Sequence, residues 1–131
     1  NFSGAVSSGS LSPKLRERVS LAVSQQNDCD YCVAAHAALG QMNGLSTEEI
    51  RDARRGAATS SLADAAVKFA TRVVATQGNV SDKDLQRVRS AGFSDGELAE
   101  LVALVALNIF TNYFNHVVQT EIDFPEAGPV E

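Results

Sequence analysis

The chain of 131 residues has no tryptophan, a single methionine, three prolines and few aromatic residues. Apolar residues nevertheless make up 44% of it. Alanine and valine supply much of this fraction, which suits close-packed helices and excludes a disordered chain. The length is enough for one core and too short for two substantial ones. We therefore predict a single domain over residues 1–131, with tails at 1–11 and 121–131.

An excess of positive charge is also missing. The formal net charge is −5, and acidic residues are spread along the chain. A basic patch is the electrostatic signature of a nucleic-acid-binding protein, so we expect no nucleic-acid partner. The densest positive cluster is Arg51, Arg54 and Arg55, which we interpret as a solvated helix end rather than a phosphate site.

Long hydrophobic runs are absent as well. The longest, Leu101 to Phe110, is too short to span a bilayer, and residues 1–12 lack the features of a secretion signal. We therefore expect no membrane partner and a cytoplasmic location. There are only two cysteines. In a reducing compartment, a close pair is more often catalytic or metal-binding than structural.

No segment shows the sustained alternation of a β-strand, and the pattern predicts an all-α bundle of about six helices. Ser12 followed by Pro13 is a helix start signal, and the first helix is expected to run to about Gln26. Asn27 or Asp28 can cap a second helix that carries both cysteines.

Later helix starts are marked by serines with an acidic residue three positions on, the spacing of a capping box or its aspartate variant. The pairs are Ser46 with Glu49, Ser61 with Asp64, Ser81 with Asp84, and Ser94 with Glu97. Glycines stand where these helices should stop, at Gly56, Gly78 and Gly92.

The last helix is expected from about Asp95 to Thr120. Its apolar residues cover more than one stripe, which predicts burial on more than one side. Phe110, Tyr113 and Phe114 lie close together within it. They fit a helical interface between subunits and, equally well, the core of a monomer.

Chemistry is concentrated between Asp28 and His36. On a helix, Cys29 and Cys32 are three positions apart and Cys32 and His36 are four apart, so the three side chains share one face. Only the thiolate form of cysteine is nucleophilic. A helix N-terminus favours an anion at Cys29, whereas His36 favours one at Cys32. The residues alone leave the attacking sulfur open.

Other interpretations of these residues exist. Glu17 can orient His36 for proton transfer, or it can pair with Lys14 or Arg18 on the surface. Cys29, Cys32, His36 and His116 are residue types that bind zinc, but a second close pair is missing, and we predict no metal and no cofactor. The polar neighbours Asp28 and Asp30 argue against two deeply buried, inert cysteines. A purely structural disulfide in so short a loop would stabilise little.

The stretch from Leu11 to Gly40 resembles the carboxymuconolactone decarboxylase superfamily, specifically its alkylhydroperoxidase D-like branch. The family pattern is a glutamate, eleven residues, and then Cys-x-x-Cys-x-x-x-His, which Glu17, Cys29, Cys32 and His36 reproduce without a gap. A second similar block contains Asn112, Tyr113, Phe114, Asn115 and His116 ahead of Asp123-Phe124-Pro125. The resemblance extends over roughly residues 11–125.

The resemblance implies that Cys32 attacks a hydroperoxide, that Cys29 resolves the product, and that His36 and Glu17 relay protons. It also implies an external dithiol reductant, either a lipoylated or a thioredoxin-like protein, and a homo-oligomer, commonly a trimer or hexamer. A carboxymuconolactone decarboxylase-like lyase, a disulfide reductase without peroxidase activity and a zinc-binding module are the alternatives.

Two features depart from this pattern or lie outside it. Well-known family members have a histidine between the cysteines, where this chain has Tyr31, a poorer base at neutral pH. Tyr31 is thus a hydrogen-bond donor or a packing residue. Asn112, Asn115 and His116 can line the active-site pocket or a subunit seam, but satisfying buried backbone or capping neighbouring helices is the favoured interpretation. We do not predict them to be catalytic.

Overall fold

The computed structural model describes residues 1–130, and this part of the chain contains seven α-helices and no strand. The helices are α1 (Phe2–Ser7), α2 (Pro13–Gln26), α3 (Asp30–Met42), α4 (Thr47–Arg54), α5 (Ser61–Thr76), α6 (Asp82–Ser90) and α7 (Asp95–Val118). The all-α prediction is confirmed, with one helix more than expected.

Helix α2 lies at the centre and contacts α3, α4, α5 and α7. Its residues Val19, Ala22 and Val23 enter the main core, which also includes the apolar faces of α5 and α7. A smaller core joins α2 to α3 and α4 around Leu21. Since α2 is packed on all sides, it is a fixed support for side chains directed at α3 and α7.

Most predicted helix ends are confirmed. Helix α2 begins at Pro13 with Ser12 as its cap, and the serines at 46, 81 and 94 form complete capping boxes. The pairing of Ser61 with Asp64 is wrong. Ser60 caps α5 instead, while Asp64 accepts a hydrogen bond from Ala58 N and pairs with Lys68. Ser60 and Ser61 are both suitable cap residues. The contacts of Asp64 with Ala58 and Lys68 fit a helix that is capped by Ser60.

The prediction of a tail over residues 1–11 is wrong for residues 2–7, which form α1. Val6 of α1 is buried in the main core. The link to α2 is held by Glu100 of α7, which accepts hydrogen bonds from Ser10 N (2.9 Å), Ser10 Oγ (2.7 Å) and Leu11 N (3.2 Å). Gly9 is needed here because a Cβ at that position would collide with the Glu100 carboxylate. A local cap at Asn1 begins this short helix, and the tertiary contacts hold it against the bundle.

We expect Glu100→Gln to loosen α1. The hydrogen bond from the Ser10 backbone is the main cause that lowers the pKa of Glu100 below its ordinary value. A carboxyl group with a lowered pKa stabilises the fold above its unfolded pKa, and this contribution is lost as the pH falls through the folded one. The variant should raise hydrogen exchange of the α1 amides about fivefold, or about 1 kcal/mol for one lost bond. Acidification should do the same in the unaltered protein.

The matched control is Glu121→Gln, because Glu121 is exposed. It should leave α1 exchange unchanged. Equal exchange in the Glu100 variant and the unaltered protein would show that Glu100 does not hold α1.

Helix α7 is only partly covered. Its Leu98, Leu101, Leu104 and Val105 are buried, whereas Phe110, Tyr113 and Phe114 are 61%, 56% and 54% exposed. The prediction of burial on several sides is therefore wrong within this chain. By length and composition alone, α7 is apolar enough to cross a membrane, with a mean hydropathy of 1.5, although its mainly apolar run at 101–110 is too short. Such a helix is weak evidence of a membrane span, since core helices have the same composition.

Candidate active site at the junction of helices α2, α3 and α7

A sharp turn between α2 and α3 places Cys29 at a helix N-terminus. Asp28 has a left-handed backbone with φ +55°, and Cys29 N donates to Ser24 O at 3.0 Å. Cys29 is then the cap of α3, and its Sγ accepts from Cys32 N at 3.3 Å. The prediction that Asn27 or Asp28 caps this helix is thus wrong, because the turn uses both residues to end α2.

The two cysteines form a disulfide, with Cα atoms 5.2 Å apart. This is a usual Cα separation for a disulfide, so the backbone needs no rearrangement to form it. Both residues are buried, Cys29 at 1% exposure and Cys32 at 3%. The expectation that the polar neighbours Asp28 and Asp30 keep the cysteines from deep burial is therefore wrong. The carboxylates point to solvent while the sulfurs lie beneath α7.

The structure places Glu17 against His36. Glu17 Oε2 lies 2.7 Å from His36 Nδ1, and the two side chains are 15% and 22% exposed. An ionised carboxylate only accepts hydrogen bonds, so Nδ1 carries the proton and donates it. Nε2 is then left on the other side of the ring. The alternative pairing of Glu17 with Arg18 does not occur, since Arg18 forms an ion pair with Glu49.

Polar side chains of α7 connect it to α2 by a buried seam. Asn108 Nδ2 donates to Ser20 Oγ and Asn112 Nδ2 donates to Ser24 Oγ, each at 3.1 Å. Asn112 Oδ1 also accepts from Asn27 at 3.0 Å. Asn112 is fully buried. These residues hold the helix that lies over the cysteines, and the partners of Asn112 are side chains, not the buried backbone groups that the favoured interpretation assigned to it.

Asn115 and His116 reach the α2–α3 junction itself. Asn115 Nδ2 lies 3.4 Å from Cys32 Sγ, and Thr111 O lies 4.0 Å from the same sulfur. His116 Nε2 lies 3.1 Å from Asp28 O, and a carbonyl only accepts, so the ring donates. No pattern in the sequence predicts that Asn115 contacts a cysteine. The only available signal was the recurrence of asparagines at helical spacing in an otherwise apolar helix.

Two recesses lie near the junction. The first, of about 310 Å³, is formed by α1, α2, α3 and α7 beside Glu17 and His36. Its other lining residues are four apolar side chains, Val6, Leu39, Leu104 and Leu107, together with Arg16, Asn108, Thr111 and three serines. We call it the His36 recess.

The second recess, of about 300 Å³, is lined by Cys29. Its lining includes Asp28, Asp30, Asn115 and His116, together with the start of the C-terminal tail. We call it the Cys29 recess. Cys29 therefore borders the second recess, whereas neither cysteine lines the His36 recess.

The C-terminal tail packs beside the Cys29 recess. Phe124 meets the Tyr31 ring edge-on, with centroids 5.9 Å apart. Burial, and then the Asp123 carboxylate, raise the pKa of Tyr31 above its ordinary value. Tyr31 therefore stays protonated at neutral pH and acts as a packing and donor residue, not as a base. Arg54 donates from Nη1 to Ala127 O at 3.2 Å, so it fastens the tail to α4.

The four residue types of the zinc alternative are not brought together. His36 pairs with Glu17, and His116 is directed at the carbonyl of Asp28. Within residues 1–130, no three or more His, Cys, Asp or Glu side chains cluster as a metal site would require. What the junction does assemble is a thiol pair, an imidazole oriented by a carboxylate, and an amide donor at one sulfur.

Comparison with known structures supports this fold. The chain superposes on a peroxidase-related protein from Silicibacter sp. TM1040 with a TM-score of 0.86, 19% identity, and coverage of 99% of this chain and 71% of that one. It superposes on an alkylhydroperoxidase AhpD core protein from Ralstonia eutropha JMP134 with a TM-score of 0.81 and 24% identity, over 88% of this chain and 64% of that one. It superposes on the debrominase Bmp8 with a TM-score of 0.80 and 16% identity, over 93% of this chain and 69% of that one.

Sequence comparison identifies the family. No curated protein sequence matches the chain. The family model of the carboxymuconolactone decarboxylase family matches residues 1–76, which include α1 to α5 and the residues of the junction up to His36. Members of this family are typically enzymes. The chain belongs to the carboxymuconolactone decarboxylase family and has an alkylhydroperoxidase D-like helical fold.

Proposed function

We propose that the protein is a thiol-dependent peroxidase that reduces organic hydroperoxides. The observation that carries the proposal is the pairing of Glu17 with His36 one helical turn beyond a disulfide-forming cysteine pair. A buried structural disulfide has no use for an oriented imidazole. A nucleophilic thiol needs a proton acceptor, and its leaving group needs a proton donor.

In the first step, His36 takes the proton of Cys32. The thiolate attacks the terminal oxygen of the hydroperoxide, an S–O bond forms and the O–O bond breaks. The departing alkoxide takes the proton from the His36 imidazolium and leaves as the alcohol. Glu17 holds the Nδ1 proton throughout and stabilises the imidazolium, so Nε2 performs both transfers.

In the second step, the Cys29 sulfur attacks Cys32, now a sulfenic acid, and water leaves as the disulfide forms. An external dithiol then supplies two electrons by thiol–disulfide exchange. We propose a lipoylated or thioredoxin-like protein as this reductant and the cytoplasm as the location of the cycle. The Cys29 recess is the proposed approach for the reductant because Cys29 lines it, and the four apolar side chains of the His36 recess are the proposed contacts of the alkyl group.

Alkylation of the thiols tests this function. Reduced protein should consume one equivalent of an organic hydroperoxide and release one equivalent of alcohol, whereas protein alkylated at both cysteines should consume none. Lactone or decarboxylase turnover that survives alkylation would favour the lyase alternative. Reduction of small disulfides without peroxide consumption would favour the disulfide reductase.

We also propose that the exposed face of α7 joins copies of this chain into a trimer or hexamer. Phe110 and Phe114 form an edge-to-face pair at the surface, with centroids 6.4 Å apart, and Val117 beside them is 81% exposed. Clustered apolar side chains of this size are rare on the free surface of a monomer. A second copy of α7 covers them and removes the apolar area from water.

Phe114→Glu should dissociate the oligomer, because a carboxylate buried at the seam is costly. We expect the protein concentration at half-dissociation to rise at least about tenfold, which corresponds to about 1.4 kcal/mol. Light scattering across a dilution series measures it. Met42→Glu is the control, since Met42 is equally apolar and 81% exposed but lies on α3. A protein that is monomeric before substitution, or unchanged by it, would contradict the proposal.

A further inference from the structure

Both N–H groups and the oxygen of the Asn115 amide have partners at the active site. Nδ2 lies 2.8 Å from Thr111 O and 3.4 Å from Cys32 Sγ. Oδ1 accepts the hydroxyl of Thr120. Thr120 is held in place by the left-handed Gln119 that ends α7, and its own N donates to Asn115 O at 3.2 Å.

These partners determine which way the amide faces. Thr111 O is a carbonyl and can only accept a hydrogen bond, so Nδ2 must face it. The reversed amide would set two oxygens against each other at that carbonyl. Because Nδ2 is fixed toward Thr111, its second N–H is directed at Cys32 Sγ, and the Thr120 hydroxyl donates to the opposite end of the amide.

The two sulfurs therefore have different donors. Cys29 Sγ accepts from Cys32 N at the start of α3, which favours an anion at Cys29. Taken alone, the helix terminus would make Cys29 the more acidic thiol, and His36 acts in the opposite sense by favouring an anion at Cys32. The Asn115 amide reaches Cys32 and not Cys29, and a hydrogen bond to a charged sulfur is stronger than one to a neutral thiol.

We propose that Asn115 is a catalytic residue that stabilises the Cys32 thiolate and so makes Cys32 the attacking sulfur, with Thr120 as its positioning residue. This inference rests on the proposed function and adds to it a residue outside the cysteine, histidine and glutamate set. The same bond acts when the disulfide is reduced. A dithiol thiolate attacks Cys29 Sγ, the S–S bond breaks, and the electron pair moves to Cys32 Sγ beside the Asn115 amide.

Other charged groups also act on this sulfur. His36 lies on α3, Glu17 faces it from α2, Asp28 and Asp30 flank the start of α3, and His116 approaches from α7. None of them changes when Asn115 or Thr120 is replaced by a neutral residue. The pKa of Cys32 in such variants therefore isolates the contribution of the amide.

The test measures the pKa of Cys32 in the full chain with Cys29→Ser, from the ultraviolet absorbance of the thiolate against pH. Asn115→Leu keeps a similar volume and removes the donor. It should raise the Cys32 pKa by about one unit, so that the thiolate fraction below the pKa falls about tenfold. Thr120→Val should raise the pKa by a smaller amount, and Thr120→Ser should restore it.

An unchanged Cys32 pKa in a folded Asn115→Leu protein would overturn the proposal. If that variant does not fold, Thr120→Val decides, and a pKa equal to that of Thr120→Ser would overturn it. The measurement needs no peroxide. A shifted pKa in a protein that is inert to hydroperoxides would therefore support the role of Asn115 while refuting the peroxidase function.

Discussion

Hydroperoxide turnover is expected to fall at least about 1,000-fold when Cys32 is replaced by serine, because the hydroxyl is not ionised at neutral pH and cannot attack the peroxide. Turnover is measured with an organic hydroperoxide and an excess of dithiol. Free thiols counted in a second sample, treated with the hydroperoxide after the dithiol is removed, should show that the remaining Cys29 stays reduced.

Cys29→Ser is the matched comparison, since it removes a sulfur from the same disulfide but leaves the attacking one. A single turnover should still release alcohol, and Cys32 should accumulate as a sulfenic acid that dimedone traps. Full activity in Cys32→Ser would contradict the assignment of Cys32 as the attacking residue. A sulfenic acid on Cys29 in that variant would show that Cys29 attacks the peroxide and Cys32 resolves the product.

Loss of the imidazole is the second large effect. His36→Asn should lower the rate of Cys32 oxidation by about 10²-fold or more, the usual contribution of a positioned acid–base group. It should also move the rising limb of the pH–rate profile to higher pH, because the proton acceptor for Cys32 is gone. Stopped-flow measurement of the oxidation between pH 5 and 9 records both effects.

Glu17→Gln should give a smaller loss, about tenfold, because the ring keeps its place but loses the carboxylate that stabilises the imidazolium. Glu48→Gln is a suitable control, since Glu48 is exposed on α4. A His36→Asn protein that is oxidised as fast as the unaltered one at every pH would show that the pair has no catalytic role.

Local sequence patterns were enough for most helix ends. The serine and proline at 12 and 13 and the capping boxes at 46, 81 and 94 involve groups within three positions of each other, so their geometry is decided by the nearest turn. Helix α1 has a local cap in Asn1, whose side chain accepts from Gly4 N, but it is only six residues long. It is fixed by Val6 in the core and by Glu100 at its end, which are contacts across the chain.

The arrangement of the active site shows the same division. The spacing of Cys29, Cys32 and His36 on one helix could be read from the sequence, and the family resemblance supplied Glu17. The burial of the cysteines could not be predicted from the sequence, because it depends on how α7 lies over the start of α3. The contact of Asn115 with Cys32 joins residues 83 positions apart, and no local pattern specifies it.

The most direct test of the central claim follows both products of one turnover. Fully reduced protein is mixed with one equivalent of an organic hydroperoxide, and alcohol and free thiols are counted as the reaction proceeds. The account predicts one alcohol formed and two thiols lost per protomer, with a Cys29–Cys32 disulfide as the only protein product. Peroxide that remains intact while both thiols stay free would contradict it.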